Sequence, residues 1–223
     1  MSAYGGPLIS SNGLIFFLDS ANPKSYPGTG TLWSDISGYA NNTTLINSVG
    51  FTTLSAGTLV FNGTNSYAEG NNSATLDAST SMTIACWVRP LSFKSNMSIV
   101  GKGSTSPAGG WDFRIDGDTN INLVKYGVVD QRVFFPAIAA NNWYHFCACQ
   151  GPLNVTYYIN GSSVGVYPNP TPFIASTANL RISRDRDTTY TASNIGQIAI
   201  YSRILDANEI QQNFNALRGR FGV

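Results

Sequence analysis

Asp116, Asp118 and Asn120 put three oxygen-bearing side chains at alternate positions, the spacing with which a calcium loop begins. Ile121 and Gly127 stand where such a loop needs glycine and glutamate, so these residues are a calcium candidate of low affinity only. Gly117 beside Asp118 marks a hairpin turn, where aspartates bond local backbone. Asp185 and Asp187 alternate with Arg184 and Arg186, which are expected to neutralise them. Glycoside hydrolysis needs two carboxyl groups roughly 5–9 Å apart across the sugar. The only glutamates are Glu69 and Glu209, and Glu209 has the position of a helix-capping residue. His145, the only histidine, lies inside WYHFC and reads as a hydrogen-bonded sheet residue rather than a catalytic base. Cys86, Cys147 and Cys149 lie in strand-like runs and read as small buried hydrophobes, not a zinc or disulfide set. No catalytic residue is assigned, and the chain is expected not to be an enzyme.

Recognition chemistry is better represented. Sugar binding uses exposed rings together with amide and hydroxyl groups around a shallow cleft. Tyr39, Tyr67, Trp111 and Tyr190 lie in or beside expected loops, and Asn65 adds an amide next to Tyr67. Tyr26 and Trp33 share that setting, and for each of these rings, taken singly, anchoring its own loop is the favoured reading. Arg203, Arg218 and Arg220 surround the end of the chain and are candidates for an assembly contact, since arginine is enriched at protein interfaces.

The elements that must hold these residues are strands. Asn160-Gly161 separates two alternating runs, 154–160 and 162–167, and an Asn-Gly pair there predicts a type I′ hairpin. Trp143–Cys149 is almost continuously apolar, as in a strand buried on both faces. Further strands are expected at 14–18, 58–68 with a turn at Asn62-Gly63, 81–89, 97–102, 111–116, 120–126, 131–138, 178–183 and 195–201. A glycine-rich flexible loop is expected at 101–110. About a dozen short strands separated by turns predict an all-β, two-sheet antiparallel sandwich. One helix closes the chain. Asp206 is its N-cap, Glu209 its capping-box partner, Leu205 and Ile210 its hydrophobic staple, and Gly219 its expected stop.

Only 11% of the 223 residues are charged, against a usual quarter, and the formal net charge is +1. That leaves no electrostatic drive toward nucleic acid or acidic membranes. LIFFL (14–18) is too short to span a bilayer, and MSAYGG lacks the basic start of a secretory signal, so synthesis and folding in a cytosol are expected.

TIACWVRPL, SIVGKG, GGWDFRID, NNWYHFCACQ, VTYYINGSSVG, LRIS and IGQIAIYSRILDANEIQQNF follow one another in an order that resembles the laminin-G-like, concanavalin-A-like jelly roll. The earlier FLDSANPKSYPGTGTLWSDISGYANN and LVFNGTNSY resemble the opening of such modules. The resemblance implies one domain over 1–223, with 1–13 as an N-terminal extension and 206–217 as the helix. It also implies a module that binds glycans or proteins through loops at one rim, often with calcium. Family calcium sites carry carboxylates where this chain has Phe61–Tyr67 (FNGTNSY) and Ile195-Gly196-Gln197-Ile198, and those carboxylates are missing. No cofactor is therefore expected beyond a weak calcium contact. The tail EIQQNFNALRGRFG is similar to tails on versions from tailed bacteriophages. The favoured expectation is a virion surface component, as a capsid decoration, fibre or attachment protein, partnered by itself or by capsid or tail proteins. The alternative is a lectin for cell-surface glycans.

Overall fold

The computed structural model describes residues 8–77, 80–117, 120–128 and 137–223, which form two antiparallel sheets and one helix. The first sheet contains β1 (Leu14–Asp19), β4 (Gly50–Thr52), β5 (Thr58–Asn62), β7 (Met82–Pro90), β11 (Tyr144–Gln150), β12 (Asn154–Ile159), β13 (Ser162–Pro168) and β15 (Ala192–Tyr201). Its order is β13-β12-β11-β7-β15-β5-β4, with β1 also paired to β15. The second contains β2 (Leu32–Trp33), β3 (Thr43–Ile46), β6 (Tyr67–Gly70), β8 (Met97–Thr105), β9 (Ala108–Ile115), β10 (Ile121–Lys125) and β14 (Leu180–Ile182), in the order β10-β9-β8-β14-β6-β3-β2. The sandwich expected from the strand spacing is therefore the fold.

Strand alternation puts one set of side chains between the sheets. Ile84, Cys86 and Val88 from β7 and Phe146 and Ala148 from β11 join Phe113, Ile115, Leu180 and Ile182 from the opposite sheet in one core. The Asn160-Gly161 turn has φ of 51° and 78°, as a type I′ hairpin requires, and β11 lies between β12 and β7. The turn after Asn62 does more than reverse the chain. It carries the chain from β5 in the first sheet to β6 in the second.

Two expectations are corrected. The glycine-rich 101–110 segment is no loop: β8 and β9 run through it as a long hairpin, paired from Met97↔Ile115 to Thr105↔Ala108. Its glycines are needed for packing. A Cβ on Gly101 would lie 2.7 Å from Asp112 Oδ1, and one on Gly103 would lie 2.0 Å from the Tyr126 ring. The helix, α1 (Ala207–Phe221), runs through Gly219 and is capped by left-handed Gly222 instead. The strand expected at 131–138 falls on 131–136, outside the described residues, and 137–138 are not in a strand.

The two outer faces differ in chemistry. On the first sheet, Ala85, Trp87, His145, Cys147, Cys149, Ala199 and Tyr201 point away from the core, and α1 covers them with Ile210, Phe214 and Phe221. No described helix is long and apolar enough to cross a membrane. The outer face of the second sheet carries Tyr67, Glu69, Ser98, Asp112, Arg114 and Arg181, and α1 does not lie on it.

Candidate functional site

β6 and β14 are neighbours, with Ala68 opposite Ile182 and Glu69 opposite Arg181. Ala68 and Ile182 are fully buried in the core, so Tyr67 and Glu69 project outward. After Ile182 the chain forms a loop over this outer face. Ser183 donates to the Thr191 carbonyl at 2.8 Å, Thr191 donates to the Ser98 carbonyl at 2.7 Å, and Arg184 bridges Tyr190. Asp185 accepts from the backbone N–H groups of Asp187 and Thr189 at 2.9 and 2.6 Å, which fixes the turn between them. Buried side chains thus pin a surface loop onto β8.

That loop brings together two of the rings singled out in the sequence. Tyr67 and Tyr190 are half-buried, with centroids 6.0 Å apart and planes tilted by 52°. The Arg184 guanidinium carbon lies 4.7 Å from the Tyr67 centroid and 5.8 Å from that of Tyr190. Such a stack holds the guanidinium plane while leaving its edge available. Asn65 is exposed beside this group. Its side-chain oxygen accepts from Asn62 at 2.9 Å, while Asn62 Oδ1 holds the backbone N–H groups of Thr64, Asn65 and Ser66.

The other candidates separate. Trp111 is wholly buried and donates from Nε1 to the Leu76 carbonyl at 2.9 Å, so it is a core residue and not a rim ring. The cause is strand phase: Trp111, Phe113 and Ile115 point inward while Asp112 and Arg114 point outward. Tyr39 is exposed, at 52%, but precedes Thr43, at the opposite end of β3 from Ile46, the partner of Tyr67. Asp116 accepts from the Asn96 N–H at 3.1 Å, its carbonyl accepts from Asn120 Nδ2 at 3.0 Å, and Asp118 lies outside the described residues. Among the described residues no three His, Cys, Asp or Glu side chains come together as a metal site. Two of the three assembly candidates are engaged inside the chain. Arg203 pairs with Glu209, and Arg220 binds Asp19 at 2.7 Å along with the carbonyls of Ser55 and Gly57. Arg218 is exposed.

Sequence reasoning missed the role of Arg184. The alternation of arginine and aspartate pointed to mutual neutralisation, which holds for Arg186 and Asp187 at 2.9 Å. Arg184 makes no ion pair with either aspartate and lies over the tyrosines instead. A tyrosine six residues later, after a turn-forming segment, is the signal that could have shown it. Further along the face, Tyr126 crosses Gly103, donates to Asp112 at 3.2 Å and lies under Arg186, whose guanidinium carbon is 4.5 Å from the ring. Burial pushes the Asp112 carboxyl up to about 6, although its bonds from Ser98 and Tyr126 favour the charged form. An open hollow of about 390 Å³, bounded by Arg114, Lys125, Tyr126, Asp185 and Arg186 among others, adjoins this row.

A family model for the concanavalin A-like lectin/glucanase superfamily matches residues 62–211. The chain belongs to this superfamily. No curated protein sequence matches it. Among solved structures it is similar to domain 4 of an extracellular GH43 arabinanase from Geobacillus stearothermophilus, in a complex with arabinotriose. The TM-score is 0.73 at 18% identity, covering 91% of this chain and 98% of that one. It is similar to botulinum neurotoxin type C, described as interacting with two ganglioside molecules, with a TM-score of 0.73 at 16% identity over 93% of this chain. It is also similar to a sialidase of Trypanosoma rangeli, with a TM-score of 0.66 at 15% identity over 96% of this chain. The chain spans 52% of the neurotoxin structure and 36% of the sialidase. At these identities the likeness is one of fold.

Proposed function

We propose that this chain is a non-catalytic carbohydrate-binding module that takes its sugar on the outer face of the second sheet, against Tyr67 and Tyr190. The observation that carries the reading is the pairing of these half-buried rings by a pinned loop on the face that α1 leaves uncovered. Rings held this way lose little freedom on binding and offer a stacking surface to a sugar's apolar side. Asn65 adds an adjacent polar group. The arabinotriose complex of the similar arabinanase domain and the ganglioside interaction of the similar toxin support the same class of ligand.

A non-catalytic role fits the carboxylates. Glu69 contacts Arg181 and Asn179, Glu209 is bound by Arg203 and the helix cap, and Asp112 is bonded by Ser98 and Tyr126. A virion setting, which the tail of the sequence resembles, suits a module that meets host-surface glycans. An assembly contact through the C-terminal arginines would fall to Arg218, and weak calcium binding would add to the module without being required.

The test is a glycan array followed by titration calorimetry on hits. Tyr67→Ala and Tyr190→Ala are expected to weaken binding by about tenfold or more, from the ~1–3 kcal/mol value of a buried ring contact. Tyr39→Ala is expected to leave binding unchanged. No glycan hit, or loss confined to Tyr39→Ala, would sink the proposal.

A further inference from the structure

Resting on that reading, we infer that the bound sugar carries a carboxylate and that Arg184 is the residue that takes it. Arg181, Arg184 and Arg186, three of the arginines on this face, line one hollow, and two of these three have acidic partners. Arg181 Nε lies 3.4 Å from Glu69, and Arg186 Nε lies 2.9 Å from Asp187. Arg184 has none: among the described residues its side chain makes no ion pair, and its Nε, like those of Arg181 and Arg186, is buried without a hydrogen-bond partner. The adjacent Asp185 is turned to the backbone N–H groups of its own loop.

A guanidinium left this way is costly. A buried donor without a partner loses its hydration and gains only ring contacts in exchange. Here the surrounding structure fixes the cation and does not neutralise it. Tyr67 and Tyr190 restrict its plane, the Arg184–Tyr190 bridge restricts its backbone, and the Ser183 and Thr191 hydroxyls anchor the strand beneath. The guanidinium fork matches a carboxylate's two oxygens in geometry and charge, and stacking on rings does not occupy the edge that makes those bonds. A neutral sugar would leave this cation unmatched. An acidic one supplies the missing charge while its ring covers the tyrosines.

The experiment compares matched ligands. Wild type, Arg184→Gln and Arg184→Lys are titrated with a carboxylate-bearing oligosaccharide, its neutral counterpart (sialyllactose against lactose, oligogalacturonate against its methyl ester) and a sulfated analogue. Thermal melts confirm folding of each variant. Wild type is expected to bind the acidic form at least about tenfold more tightly, as suits a hydrogen-bonded charge pair. Arg184→Gln is expected to abolish that preference while leaving neutral-ligand affinity within about twofold, and Arg184→Lys to retain part of it. Equal affinity for acidic and neutral forms overturns the inference while leaving the glycan-binding role standing. Loss of both ligands in Arg184→Gln with the fold intact also overturns it, by reducing Arg184 to a support for the tyrosines. Tighter binding of the sulfated form overturns the assignment to a carboxylate. Failure of wild type to bind any of these sugars or any array glycan removes the functional proposal itself.

Discussion

Asp112 and His145 lie on the outer faces of opposite sheets, and both are buried. Burial raises the Asp112 carboxyl to about 6 and lowers the His145 imidazole to about 3. Their linkages have opposite signs. Between pH 4.5 and 6, native Asp112 holds a proton that the unfolded chain has lost, so its contribution falls as pH rises. Native His145 is neutral while the unfolded residue is protonated, so its contribution rises with pH. Each slope approaches ~1.4 kcal/mol per pH unit, and the two offset one another. Urea unfolding across that window is expected to give a shallow profile for wild type, rising with pH only at the lower end, where Glu209, held down to about 2 by Arg203, is partly protonated in the unfolded chain alone. His145→Gln should become more stable as pH falls and Asp112→Asn less stable; both variants retaining the wild-type profile would refute the assignment. Legibility at this scale follows environment. His145 reads correctly as a buried strand residue because its WYHFC neighbours are apolar, but not as a hydrogen-bonded imidazole, since its Nδ1 is buried without a partner. Trp111 is misread because the adjacent Gly109 and Gly110 suggest a loop, whereas they let the strand pass close to the Ala175 and Lys102 carbonyls.

The closing helix shows where local rules suffice and where they fail. Its start is readable because the capping box is a local pattern. Asp206 accepts from the Glu209 N–H at 2.9 Å, Glu209 accepts from the Asp206 N–H at 3.1 Å, and Arg203 pairs with the same glutamate. The end is set by distant residues. Gly219 lies inside the helix at a cost of about 1 kcal/mol relative to alanine. Phe221 offsets this by stacking on Trp87 at 4.4 Å and meeting Trp143 at 4.5 Å. A Cβ on Gly196 would come within 2.5 Å of the Phe221 ring, so the glycine makes room for the aromatic tail. Phe221→Ala is expected to destabilise by about 3 kcal/mol or more, and Asp206→Ala by about 1. Denaturant titrations giving the reverse order would show that the helix is held by its cap rather than by its final turn.

Across the whole molecule, the two sheets share one core and divide the remaining work. The first sheet's outer face is apolar, and α1 seals it over Trp87, Cys147, Cys149 and Tyr201. The second sheet's outer face is polar, with a pinned loop, paired tyrosines and an arginine that lacks a counter-charge. The strand pattern makes the sandwich readable because alternation is a property of each strand. Which outer face is covered depends on where the helix returns, and that requires contacts between residues far apart in sequence. The division predicts opposite effects from lesions on the two faces. Deleting 206–223 should expose Trp87 and its neighbours, so the product should aggregate or bind a hydrophobic dye and lose cooperative unfolding. The double variant Tyr67→Ala, Arg184→Gln should unfold cooperatively, with stability within about 2 kcal/mol of wild type, because both side chains are only half-buried. It should nevertheless lose sugar binding. A soluble, cooperatively folding truncation, or a double variant that fails to fold, would show that stability and recognition are not separated between the faces.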